Sequence, residues 1–103
     1  MASNKDFVVY VCDQLRGAGN IRYRKMFGDY MIYVDERPAV LLCDNVAYVK
    51  MLPCIAEELA DTDVGIPYPG AKPHYILDVD DGELACRVAA AVATMTPLPR
   101  KKR

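Results

Sequence analysis

Between Ile21 and Met51 the chain carries four short β-forming runs separated by reversals of only a few residues, and this spacing constrains the fold more than any other feature. Ile21–Phe27 sets Ile21, Tyr23, Lys25 and Phe27 on one side and Arg22, Arg24 and Met26 on the other. Gly28-Asp29 supplies a tight reversal, since glycine takes positive φ without steric cost. Tyr30–Val34 is aromatic and β-branched, which favours a strand. Asp35-Glu36-Arg37-Pro38 makes the next turn, Ala39–Cys43 a short apolar run, and Asp44-Asn45 turns the chain into Val46–Met51. Parallel neighbours need crossovers of a dozen or more residues, so these runs can pair only as an antiparallel meander.

Helical patterns flank the meander. Ser3 with Asp6 suits a helix start, a variant of the Ser-x-x-Glu capping box. Phe7, Val8, Val11, Cys12 and Leu15 then recur at helical spacing, predicting a helix over residues 4–16 that ends at Gly17. Pro53 suits the first turn of a short helix over 54–60. Residues 61–73 are broken by prolines and glycines, with a type II turn expected at Tyr68-Pro69-Gly70-Ala71. His74–Val79 reads as a fifth strand. Asp80 or Asp81 caps a last helix whose stripe is Leu84, Val88, Ala91, Val92 and Met95, and Pro97-Leu98-Pro99 stops it. The expected fold is a two-layer α+β domain of order α-β-β-β-β-α-β-α, an antiparallel sheet (meander plus one later strand) with helices. It occupies residues 1–96, followed by a disordered basic tail at 97–103.

The 103 residues suffice for one domain, and 52% hydrophobic content with a mean hydropathy of −0.01 suits a globular core. No apolar run approaches a membrane span, and Lys5 and Asp6 precede any apolar stretch, so a cytoplasmic location is expected. Net charge is −1 but uneven: residues 1–50 carry +1, residues 51–99 carry −6, and Arg100-Lys101-Lys102-Arg103 adds +4. A body this acidic lacks the broad basic footprint of a nucleic-acid binder. Arg100, Lys101, Lys102 and Arg103 are expected to give at most weak, sequence-indifferent contacts with nucleic acid.

Catalytic sets are hard to assemble. Cys12, Cys43, Cys54 and Cys86 contain no Cys-x-x-Cys pair and His74 is the single histidine, so no metal, no cofactor and no disulfide framework are expected. Glu57 and Glu58 are neighbours on a helix and do not face each other. No glycine-rich phosphate loop is present. The sheet supplies a better clue. Ala39–Cys43 is apolar on both faces and Tyr30–Val34 nearly so, while helices cover one face. The other face needs the 61–73 loop, a second copy in a homodimer, or another protein. Three classes of function follow. The first is a non-enzymatic protein-interaction domain using Arg24, Tyr30, Tyr33 and Tyr48. The second is a weak nucleic-acid binder using Arg22, Arg24, Lys25 and the tail. The third is a small-ligand carrier or enzyme with a pocket under the 61–73 loop.

The run Arg24, Met26, Phe27, Gly28, Tyr30, Ile32 and Tyr33, followed by Asp35, Ala39, Val40, Leu41, Asp44, Tyr48 and Lys50, resembles the signature of the TfoX/Sxy amino-terminal domain family. Tyr68-Pro69-Gly70-Ala71-Lys72-Pro73 with Tyr75 is similar to the family's later segment, and the likeness covers residues 4–96. Met31 and Glu36 stand where many members have glycine. The resemblance implies an α+β domain like that of secretion chaperones. It also implies a transcriptional co-regulator of bacterial competence whose partner is a regulator of the cyclic-AMP receptor protein type.

Overall fold

The computed structural model describes residues 4–26 and 29–96. Their elements are α1 (Lys5–Gln14), a 3-10 turn at Arg16–Ala18, β1 (Ile21–Met26), β2 (Asp29–Val34), β3 (Arg37–Cys43), β4 (Val46–Lys50), α2 (Pro53–Ala56), β5 (Val64–Gly65), β6 (His74–Ile76) and α3 (Gly82–Met95). The strands form one open antiparallel sheet of order β1-β2-β3-β4-β6-β5. The fold is α+β, with the expected meander forming four successive strands from one edge of the sheet. Ser3, the Phe27-Gly28 reversal, the Pro97-Leu98-Pro99 stop and the tail Arg100–Arg103 lie outside the described residues.

The Asp35-Glu36 turn is tighter than the expected Asp35–Pro38 turn, and Asp44-Asn45 reverses the chain as expected. Asp35 (φ 50°) with Glu36 (φ 69°), and Asp44 (φ 52°) with Asn45 (φ 60°), each place two successive residues in the left-handed region. Two-residue loops of this kind match the right-handed twist of their strands. Arg37 and Pro38 therefore belong to β3 rather than to the turn, and Val34 pairs with Arg37. The Asp35 carboxylate also accepts the Asn20 amide at 2.9 Å. It crowds Gly19 so closely that a Cβ there, at φ 145°, would lie 2.9 Å from its oxygens.

The helix ends follow local chemistry. Asn4, not Ser3, caps α1: its side-chain oxygen accepts the Asp6 amide at 2.7 Å. Asp81 rather than Asp80 caps α3 by accepting the Leu84 amide. α3 buries Ala85, Val88, Ala89, Val92 and Ala93, whereas Met95 is 63% exposed. The expected stripe holds at Val88 and Val92, with Leu84 and Ala91 packed against the core, and it widens to include Ala85, Ala89 and Ala93, while Met95 falls outside it. Arg37 fastens the end of α3 by donating to the Thr96 carbonyl at 2.9 Å.

α1 and α3 pack on one face of the sheet, where Val8, Val11 and Val88 meet Ile32, Val40 and Leu42, all with no solvent exposure. Two further differences concern the later segments. α2 ends at Ala56, earlier than expected, although Ile55 and Leu59 both reach the core. The 61–73 stretch contributes the short strand β5, where Gly65 packs closely: a Cβ would meet Tyr48 Cε1 at 3.2 Å and Ile76 Cδ1 at 3.3 Å. The Tyr68–Ala71 turn forms as a type II turn, with Gly70 at φ 88° and the Ala71 amide donating to the Tyr68 carbonyl. No helix among the described residues is long and apolar enough to cross a membrane.

Candidate functional site

Strand register assembles the sheet face turned away from α1 and α3. Arg24 lies opposite Met31, Met31 opposite Leu41, Leu41 opposite Tyr48, and Tyr48 opposite Ile76. Residues directly opposite share a face, so one row crosses five strands. Tyr33 sits beside this row on β2, and Lys50 beside it on β4, paired with His74.

Of the four residues expected to form an interaction surface, the structure brings Arg24, Tyr33 and Tyr48 to this face and sends Tyr30 elsewhere. Tyr30 belongs to the helix-covered core, where its ring meets Tyr23 edge-on at 5.7 Å. The reason is the two-residue period of β2: Tyr30, Ile32 and Val34 point to the helices, Met31 and Tyr33 away. Tyr33 is itself only 6% exposed. The Arg22 guanidinium lies 5.0 Å from its ring centroid and is held there by Glu36, with contacts of 2.6 and 3.1 Å. Arg24 is exposed and Tyr48 half-buried, so both remain accessible. The cations Arg22, Arg24 and Lys25 do not form one patch, because Lys25 projects to the opposite side of β1.

The 61–73 segment folds back over part of this face. A groove of about 200 Å³ opens between Met31, Leu41, Tyr48, Lys50, Tyr68 and His74, and at one end Pro38, Ala39 and Val92 of α3 join its wall. The Tyr48 and His74 rings meet edge-on at 6.4 Å. The His74 Nδ1 lies 2.7 Å from the Lys72 carbonyl, which can only accept, so Nδ1 carries the proton of that contact. Burial and nearby acidic groups raise the Tyr48 hydroxyl above its ordinary pKa and keep it a neutral donor. Tyr68 lies on the 61–73 loop that the sequence offers as a cover for this face, whereas Lys50 has no expected role there and follows from the alternation of β4.

A larger hollow of about 480 Å³ lies at the other side of β6, with Asp61, Asp63, Asp78 and Asp80 in its wall. Tyr10 donates its hydroxyl to Asp80, which raises the phenol pKa. No group of three or more His, Cys, Asp or Glu among the described residues is placed to hold a metal ion.

The four cysteines are separate free thiols. Burial, reinforced by the neighbouring Asp29 carboxylate, pushes the Cys43 thiol from 9.0 to about 11. At pH 8 roughly one Cys43 in a thousand is then thiolate, the form that reacts. Native-state alkylation followed by peptide mass spectrometry should label exposed Cys54 first and Cys43 last, about 100-fold or more slower. The difference should vanish in denaturant. Because the unfolded thiol ionises more readily, stability is fully present below pH 9 and falls as pH rises towards 11.

The fold and this face together define an α+β domain with helices on one side of an open sheet and an aromatic, partly basic surface on the other. No protein-family model matches the chain. A protein of Spirochaeta aurantia described as "Uncharacterized 12.7 kDa protein in trpE 5'region" is 36% identical over 106 residues, covering 98% of this chain and 91% of that protein. The chain belongs to the same family as that spirochaetal protein.

Proposed function

We propose that the chain is a cytoplasmic, non-enzymatic protein-interaction domain of the TfoX amino-terminal type, acting as a transcriptional co-regulator linked to competence. The observation that carries this reading is the row Arg24, Met31, Leu41, Tyr48 and Ile76, on a face away from the packed helices. Apolar and aromatic groups joined to a cation with no carboxylate partner among the described residues suit a protein contact. The turn at Glu36 supports the family resemblance. Its φ of 69° is the conformation that a glycine, present there in many TfoX members, adopts without cost.

The resemblance names the first partner to test, a regulator of the cyclic-AMP receptor protein type. Immobilised full-length chain should retain that regulator from the same organism, and Tyr48→Asp should weaken retention by tenfold or more on the order expected for a central contact. Absence of binding, or binding indifferent to Tyr48, removes the co-regulator reading.

The groove favours one second reading, a carrier of a small anionic aromatic ligand held by the Lys50 ammonium and the Tyr48 and Tyr68 rings. Ligand-dependent thermal stabilisation lost in Lys50→Met and Tyr68→Ala supports it. Stabilisation unchanged in both variants dismisses it.

A further inference from the structure

β1 is the outermost strand of the sheet on its side. The Asn20 carbonyl accepts the Asp35 amide at 2.9 Å, which fixes the direction of the backbone groups along the strand. In an antiparallel pair these groups alternate. Arg22, Arg24 and Met26 therefore aim their N–H and C=O at β2, and Ile21, Tyr23 and Lys25 aim theirs outward. No strand among the described residues takes up those outward groups. Arg22, Tyr23, Arg24 and Lys25 are all exposed. On the helix side the Lys5 ammonium lies 5.6 Å from the Tyr23 ring centroid, bringing a further cation to the edge. Only Arg22 has a carboxylate partner among these four cations within the described residues.

Cations along an edge guard it against pairing with its own kind. Two copies of β1 laid edge to edge would set Arg22, Arg24 and Lys25 against the same residues of the neighbour, and like charges placed opposite are destabilising. The same charges favour a strand of opposite sign.

We propose that the outer edge of β1 accepts an acidic extended segment of another protein as an added strand. The segment's backbone pairs with the outward groups of Ile21, Tyr23 and Lys25. Its alternate side chains fall beside Arg22 and Arg24 on the open face, and the intervening ones beside Tyr23 and Lys25. The matching chemistry is Asp or Glu at every second position with aliphatic or aromatic residues between them. This extends the protein-interaction reading to a second surface, and the variants that test it leave Tyr48 and the groove intact.

The test titrates nitrogen-15-labelled full-length protein with a short peptide of alternating Glu and Val, and with a Lys/Val peptide as control. The Glu/Val peptide should bind saturably and slow amide exchange at Ile21, Tyr23 and Lys25, but not at Arg22 and Arg24, whose amides already face β2. Lys25→Glu, on the side of β1 away from the Tyr48 row, should weaken binding by about tenfold. Tyr23→Pro removes one outward N–H without touching the β1–β2 ladder and should also weaken it, since proline is tolerated on an edge strand. Four results overturn the proposal. These are no saturable binding at millimolar peptide, equal binding of the Lys/Val control, perturbations centred on Met31, Leu41 and Tyr48, and slowed exchange at the three amides in the protein alone as its concentration rises. The last would place a second copy on the edge.

Discussion

Leu42→Ala should lower the unfolding free energy by about 2–5 kcal/mol, the cost of emptying a closed core site. Its neighbour Leu41→Ala should cost about 1 kcal/mol or less. The two leucines share strand β3 and differ in the face they occupy. Leu42 has no solvent exposure and lies within the core formed with α1 and α3. Leu41 is half-buried and lines the groove opposite Met31 and Tyr48. Urea unfolding at low micromolar concentration, followed by circular dichroism, reads both costs. An equal loss at the two positions would mean that the second face is as closed as the first. If the Leu41 cost also grew with protein concentration, a partner chain would be supplying that closure.

The contrast between these leucines also shows what could be read before any coordinates. The order of elements was legible because short turns leave a meander no alternative, and because alternation assigns Tyr30, Ile32 and Val34 to one face and Met31 and Tyr33 to the other. Which face the helices cover was not legible, since β2 and β3 are apolar on both. Tyr30 was grouped with the surface for that reason, and the structure places it in the core. The α3 stripe departs at one position only. Val88 and Val92 are buried and Leu84 and Ala91 pack on the core, but Met95 near the helix end is exposed, and the small residues Ala85, Ala89 and Ala93 join the buried side. β5 escaped notice because two residues carry no periodicity, and its position depends on the distant partners Tyr75 and His74. The groove inherits that difficulty in one place: Tyr68 reaches its wall from a loop whose course β5 decides.

Self-association is where this face should have its largest effect. At micromolar concentration the full-length chain should scatter light as a particle of twice its 11.5 kDa, since a two-fold contact is the commonest way for a small protein to bury such a surface. Tyr48→Asp should return it to the monomer mass, weakening the contact by roughly 30-fold or more, the effect of losing a central interface residue. A carboxylate buried there without a partner adds its own desolvation cost. Tyr48 is a cleaner probe than Tyr33. Tyr33 is 6% exposed and supports Arg22, so Tyr33→Asp would disturb the hairpin as well as the contact. Tyr48 is half-buried and outside the core cluster, so the variant's circular dichroism should match that of the parent chain. Leu41→Asp supplies an independent check from the neighbouring strand, and Glu57→Lys, on an exposed turn after α2, should leave the mass unchanged. A parent chain that scatters as a monomer would remove the second copy from this face. Tyr68, at 54% exposure, would then mark where a different protein completes the surface.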